Sequence, residues 1–487
     1  MVKPVTVYVC SHCGAQTRQF FGRCSSCGSW NTLVEQLQAA APAADSRRRR
    51  PLAPESGAIA RPRRSASIRA VGEQPLQRLG SGYGEFDRVL GGGLVPGSLV
   101  LLGGDPGIGK STLLLQSARS MADRASVLYV SAEESAQQVK LRWRRLAQPA
   151  AAGYGATDDR STGAAADPDL QLLAETDLEL VLQELESLRP AVAIIDSIQA
   201  LHDDQLSSAP GSVAQVRECA AALARIAKRQ DTALLLVGHV TKEGALAGPK
   251  VLEHLVDAVL TFEGDRFASH RLLRAVKNRF GATHELGVFE MQGRGLAEVS
   301  NPSELFLGAS EPSSGTATIV ACEGTRPLVV ELQALVSTTS YASPRRSATG
   351  IALNRLHQIL AVLEKHLGLP FSRFDCYLAV AGGLEVEEPA ADLGVAAAVV
   401  ASYRDLTLPP GTVLIAELGL GGQLRPVSQL ELRLQEAGRL GFNRAVVPKG
   451  SGLGPTAAVA GMQLLEAATV AEALVAALGV DPADDRV

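Results

Sequence analysis

Gly104-Asp105-Pro106-Gly107-Ile108-Gly109-Lys110-Ser111, followed by Thr112, fits the pattern GxxxxGK[ST] in full. An apolar run at 99–102 precedes it and a helix-forming run at 112–118 follows. That strand–loop–helix setting separates a phosphate-binding loop from a chance glycine-rich turn. Gly107 and Gly109 let successive backbone N–H groups aim at phosphate oxygens, and the helix N-terminus adds a favourable dipole. Lys110 reaches the β- and γ-phosphates in such a loop, and the Ser111 hydroxyl coordinates Mg²⁺. The stretch predicts an ATP and Mg²⁺ site over residues 104–112.

Outward from the loop, apolar runs at 99–102, 127–130, 192–195, 233–237 and 258–262 alternate with helical stretches, which predicts an α/β domain with a parallel sheet over 76–300. Val192-Ala-Ile-Ile-Asp196 is an apolar strand ending in an acid, placed to hold Mg²⁺ through water. Val127-Leu-Tyr-Val-Ser-Ala-Glu133-Glu134 ends another strand in two carboxylates. Glu133 is the choice for orienting or deprotonating the attacking water, with Glu134 as fallback; the plain alternative is a pair of solvated helix-start acids. Lys277-Asn278-Arg279-Phe280-Gly281 closes a strand with two cations. Within one subunit these form a solvated turn. In a ring, Lys277 and Arg279 reach a neighbour's nucleotide as a finger on the phosphoryl-transfer transition state.

Cys10-Ser-His-Cys13-Gly and Cys24-Ser-Ser-Cys27-Gly are two CxxCG knuckles. Together they predict a C4 zinc ribbon over residues 1–35, its four thiolates closing a tetrahedral shell around a structural Zn²⁺. So short a segment lacks a core of its own, and the metal supplies on the order of 10 kcal/mol of folding energy. Cys219, Cys322 and Cys376 are scattered, so the seven cysteines do not form a disulfide framework, and a reducing, cytoplasmic compartment is expected. No run reads as a signal peptide or a membrane span. Residues 36–75 are an Arg/Ala/Pro-rich linker with eight arginines between Arg47 and Arg69 against one acid, Glu55. It is either a nonspecific phosphate contact or a solubilising tether. The net charge of −4 over 487 residues confines any nucleic-acid contact to a local patch or one face of an assembly. A polar joint at 301–315 leads to a second α/β domain at 316–480, with paired strands at 316–322 and 328–336, a helix at 351–367, and a tail at 481–487. Residues 149–167 read as a surface insertion.

In order along the chain, the ribbon, Leu79-Gly-Ser-Gly-Tyr-Gly-Glu-Phe-Asp-Arg-Val-Leu-Gly-Gly-Gly, the P-loop, Tyr129-Val-Ser-Ala-Glu-Glu-Ser, Ile194-Ile-Asp-Ser-Ile-Gln and Lys277–Gly281 resemble the RadA/Sms family of bacterial DNA repair and recombination ATPases. The resemblance implies a RecA-like ATPase core and a homo-hexameric ring that binds single-stranded and branched DNA. Such a DNA-dependent, helicase-like ATPase drives branch migration with the RecA recombinase. In such a ring, 202–213 and 241–250 carry DNA, the latter with Lys242 and Lys250. Arg217 faces DNA or forms an ordinary ion pair. His239 and Thr241 sense the γ-phosphate, unless His239 is a satisfied strand-end histidine. Residues 316–478 resemble the proteolytic domain of Lon, with Ala390 at the position of the serine nucleophile and Glu431 at that of the lysine base. A methyl group cannot attack a carbonyl, so this domain is expected to be inactive as a protease. Arg345, Arg346, Arg355 and Lys365 either add a DNA-binding surface there or are solvated charges. The competing functions are an ATP-dependent protease and a RecA-like regulatory ATPase.

Overall fold

The computed structural model describes residues 5–10, 16–17, 19, 21–23, 28–30, 33–38, 77–147, 168–238, 252–264, 269–307, 313–451 and 461–479. These fall into two units, Met1–Leu76 and Gln77–Val487. In the first, β1 (Val5–Cys10) pairs antiparallel with β2 (Gln16–Thr17) on one side and β3 (Leu33–Gln38) on the other. Cys10 ends β1 opposite Leu33. An antiparallel bridge joins Arg23 to Trp30, and Arg23 Nε donates to the Gly28 carbonyl at 2.8 Å, tying together the two flanks of the second knuckle. Cys13, Cys24, Cys27 and residues 39–75 of the Arg-rich linker lie outside the described residues, whereas 36–38, expected to begin the linker, belong to β3.

In the second unit, six strands run parallel: β4 (Leu99–Gly104), β5 (Val127–Ser131), β6 (Gln171–Ala174), β7 (Val192–Asp196), β8 (Ala233–Val237) and β9 (Ala258–Glu263). An antiparallel meander of β10 (His270–Asn278), β11 (Leu286–Gln292) and β12 (Gly295–Glu298) extends the sheet, giving the order β12-β11-β10-β9-β4-β8-β7-β5-β6. One strand, β8, separates the P-loop strand β4 from the acid-bearing β7, the RecA-like arrangement. The five parallel strands read from the sequence are all present, each within two residues of its expected end; β6, β11 and β12 were not anticipated.

β4, β5, β7 and β8 are buried along their whole length because helices cover both faces. Side chains alternate across the sheet. Val100 and Leu102 join the core beneath α1 (Gly84–Leu90), α2 (Lys110–Ala122) and α3 (Ala136–Ala147). Leu99 and Leu101 join the opposite core, beneath α4 (Leu178–Leu188) and α5 (Val213–Gln230).

A second sheet of seven strands begins with β13 (Thr316–Glu323) and β14 (Arg326–Thr338), paired antiparallel as expected. The helix expected at 351–367 spans Leu353–Leu367. Another, Asp392–Arg404, packs so closely on β13 that a Cβ at Gly394 would lie 2.0 Å from Ile319 Cγ2. Ala390 is buried in the turn before it, whereas Glu431 is exposed on the helix Leu430–Arg439. The buried cation of that helix is Arg433, which the sequence reading missed. Its guanidinium forms a bidentate pair with Glu388 at 2.6 Å and donates to the Val320 carbonyl at 2.6 Å. Two of the proposed DNA-facing arginines have internal partners instead: Arg346 donates to the Phe371 and Phe374 carbonyls, and Arg355 pairs with the buried Asp392. Arg345 stacks over Tyr341, and Lys365 is exposed. Arg326 joins the two sheets by pairing with Glu85 and donating to the Leu286 carbonyl at 3.1 Å.

Candidate nucleotide site

Parallel strands gather their C-terminal ends at one edge, where Gly104, Ser131 and Asp196 border one crevice. The loop after β4 needs its glycines: φ is +148° at Gly104, +79° at Gly107 and +117° at Gly109. A Cβ on Gly104 would stand 2.4 Å from the Phe262 carbonyl oxygen, whereas nothing lies within 4 Å of one on Gly107. The loop is therefore braced from behind by β9 and open in front. Arg271 Nε adds a hydrogen bond to the Ile108 carbonyl at 3.3 Å.

Lys110 opens α2 and is buried, its Nζ donating to the Gly104 carbonyl at 2.7 Å and the Asp105 carbonyl at 2.9 Å. Burial pulls its pKa below the ordinary lysine value, against the opposing pull of Asp196, Asp105 and Glu133. A buried ammonium beside an open glycine cradle suits a polyphosphate, which would supply the anion that backbone carbonyls cannot. Ser111 and Thr112 sit half-buried in the first turn of α2.

The carboxylates are held by hydroxyls. Tyr129, fully buried in β5, donates to Asp196 Oδ2 at 2.6 Å. Burial first, then the charge of Asp196, raises the Tyr129 pKa well above its ordinary value, so the phenol stays a donor. Ser197 donates to the Glu133 carboxylate. Glu134 points elsewhere, into an ion pair with Arg142. Of the two acids after β5, Glu133 is the one whose charge acts on Lys110.

Lys277 and Arg279 stand at the other end of the same sheet. Arg279 pairs with the buried Asp257 at 2.9 Å, and the second oxygen of Asp257 accepts the Leu99 N–H at 3.1 Å, where β4 begins. The P-loop starts five residues further along that strand, roughly 16 Å away at the usual rise. Lys277 Nζ donates to the carbonyls of Glu253 and Val256. Neither cation reaches its own chain's P-loop.

Of the candidate DNA contacts, Arg217 is exposed on α5, two residues after the buried Gln215. Gln215 fastens the first candidate loop by donating to the Asp203 carbonyl at 3.1 Å and the Ser208 carbonyl at 3.0 Å. His239, Thr241, Lys242 and Lys250 lie outside the described residues.

A family described as an AAA domain matches residues 85–245, and one described as a rubredoxin metal binding domain matches residues 8–35. A protein named DNA repair protein RadA from Synechocystis sp. is 58% identical over 455 residues, covering 92% of this chain and 90% of the relative. Its namesake from Bacillus subtilis is 46% identical over 481 residues, covering 98% and 100%. The chain belongs to the RadA family. A solved structure titled as the RadB recombinase overlaps 46% of the chain and 100% of its own length, with 20% identity and a TM-score of 0.35. The residues that brace the site in this RadA family member, Tyr129, Ser197 and Arg271, and the Asp257 that holds Arg279 at the opposite edge, were not singled out by sequence. Tyr129 and Ser197 lie inside quoted motifs, and the one available signal was a hydroxyl in an otherwise apolar strand.

No helix among the described residues is long and apolar enough to cross a membrane.

Proposed function

We propose that this chain is a DNA-dependent ATPase motor that acts as a ring, binds single-stranded and branched DNA, and drives branch migration in recombinational repair beside a RecA-type recombinase. One observation carries the motor reading: Lys110, Asp196 and Glu133 converge at one edge of the sheet, while Lys277 and Arg279 stand at the opposite edge. Head-to-tail contact between copies would bring one copy's finger to the next copy's nucleotide, the geometry that closes rings. RadA relatives bear a DNA repair name, which supports the biological setting.

In this reading residues 104–112 cradle the triphosphate and Lys110 neutralises its outer phosphates. Ser111 and Asp196 would hold Mg²⁺, which draws charge from the phosphate oxygens when bound. Glu133 orients water and accepts its proton. Arg279 of the next subunit stabilises charge at the leaving phosphate. Cys10, Cys13, Cys24 and Cys27 would hold a structural Zn²⁺; a described three-stranded sheet ending β1 at Cys10, and the match to a metal-binding family, support this. Proteolysis is disfavoured by the buried methyl of Ala390 and the outward Glu431.

The deciding experiment measures ATP turnover with and without single-stranded DNA, and fork or three-strand branch migration with and without the recombinase. Turnover and oligomeric state that ignore DNA would leave a regulatory ATPase as the better reading.

A further inference from the structure

β5 and β7 exchange hydroxyl–carboxylate bonds across the crevice. Tyr129 of β5 donates to Asp196 at the end of β7, and Ser197, directly after β7, donates to Glu133, two residues past the end of β5. The strands lie in parallel register, with Tyr129 opposite Ile194 and Ser131 opposite Asp196. The Tyr129 ring is sealed in the core beneath α2 and α3, and Ser197 has no exposed surface. Neither hydroxyl touches solvent, and each ends on one oxygen of an acid that the proposed chemistry uses.

We propose that Tyr129 and Ser197 are paired positioning residues: Tyr129 fixes the rotamer of the metal-holding Asp196, and Ser197 fixes that of the water-orienting Glu133. The inference rests on the roles proposed above for those two acids. A carboxylate has two equivalent oxygens and a soft terminal torsion. A buried donor that takes one oxygen restricts that torsion. The partition is asymmetric. Tyr129 acts on the affinity for Mg²⁺ in the nucleotide complex, and Ser197 acts on the rate of the step after binding.

The first test titrates Mg²⁺ into full-length protein with a fluorescent ATP analogue, reading nucleotide binding without turnover. Tyr129→Phe, which keeps the ring and its packing, should raise the Mg²⁺ concentration needed for half-maximal binding by about tenfold, the scale of one hydrogen bond to a charged group. Asp196→Asn is run beside it. An unshifted Asp196→Asn overturns the assignment of Asp196 to the metal; a shifted Asp196→Asn with a wild-type Tyr129→Phe overturns the positioning role.

The second test compares kcat and nucleotide affinity. Ser197→Ala should lower kcat about tenfold to a hundredfold with nucleotide affinity unchanged, and Ser197→Thr, which keeps the hydroxyl, should restore most of it. Glu133→Gln serves as the reference for a lost water-orienting acid. Wild-type kcat in Ser197→Ala beside a dead Glu133→Gln overturns the Ser197 role, whereas an active Glu133→Gln overturns the assignment of Glu133. Apo Tm is read for every variant, and the magnesium titration of Tyr129→Phe decides the proposal if the serine variants lose structure.

Discussion

Arg279→Ala separates the proposed trans finger from a merely structural arginine because the two roles differ in size. In its own chain the guanidinium is 54% exposed and pairs with Asp257, whose side chain is 7% exposed and keeps a second partner in the Leu99 N–H. Solvent screens that pair from the arginine side, so its loss costs about 1 kcal/mol of stability. A finger at a neighbour's nucleotide contributes about 10³-fold in kcat, roughly 4 kcal/mol of barrier. The expected variant therefore unfolds near the wild-type midpoint, binds ATP normally and hydrolyses it about a thousandfold more slowly. The assay is single-turnover hydrolysis with saturating single-stranded DNA, repeated on mixtures. Lys110→Ala subunits lack a working P-loop and keep the finger, while Arg279→Ala subunits have the reverse defect. In an equal random mixture about a quarter of head-to-tail interfaces pair an intact P-loop with an intact finger, so activity should return to about that level. Normal turnover by isolated Arg279→Ala, or a mixture as inert as its components, refutes the reasoning.

Lys110→Ala should abolish nucleotide binding measured by fluorescence anisotropy, since no other cation among the described P-loop residues replaces its ammonium. Lys277→Ala should cost about 1–2 kcal/mol in denaturant unfolding, because its ammonium holds the carbonyls of Glu253 and Val256. Arg433→Ala should cost about 3 kcal/mol or more by leaving Glu388 without its bidentate partner, with Glu388→Gln milder. Thiol titration tests the ribbon. Burial pushes Cys219 up to about 12 and Cys322 and Cys376 up to about 11, so these resist a neutral-pH disulfide reagent. Chelation of zinc should release the four thiols of Cys10, Cys13, Cys24 and Cys27 while the midpoint of the ATPase core stays unchanged; four reactive thiols before chelation would contradict a metal-filled shell.

What the sequence made legible was chemistry with a fixed local spacing. The P-loop pattern demands glycines at φ values only they adopt easily, and a lysine one position before the serine, so eight consecutive residues carry the reading. The buried parallel strands announce themselves as apolar runs. The missed pieces share a different property: their partners are distant in sequence and meet only through sheet order. Asp257 and Arg279 come together because β9 and β10 pair antiparallel, and Tyr129 meets Asp196 because β5 and β7 are neighbours, an adjacency no local pattern encodes. β6 was missed because four half-exposed residues at a sheet edge leave no periodic signature.

Sheet order also sharpens the proposed ring. β10 runs antiparallel to β9, so the pentapeptide at its end is carried to the edge opposite the P-loop. Had β10 been another parallel strand, its C-terminal cations would have stood beside Lys110, and a single subunit could have completed the site. The reversal turns a possible cis finger into one that only another copy can use. If the finger role holds, hydrolysis and assembly are the same event, and turnover per subunit should rise with protein concentration until every interface is filled. Sedimentation run beside the hydrolysis assay tests this: full specific activity at concentrations where the protein is monomeric would rule out a site completed in trans.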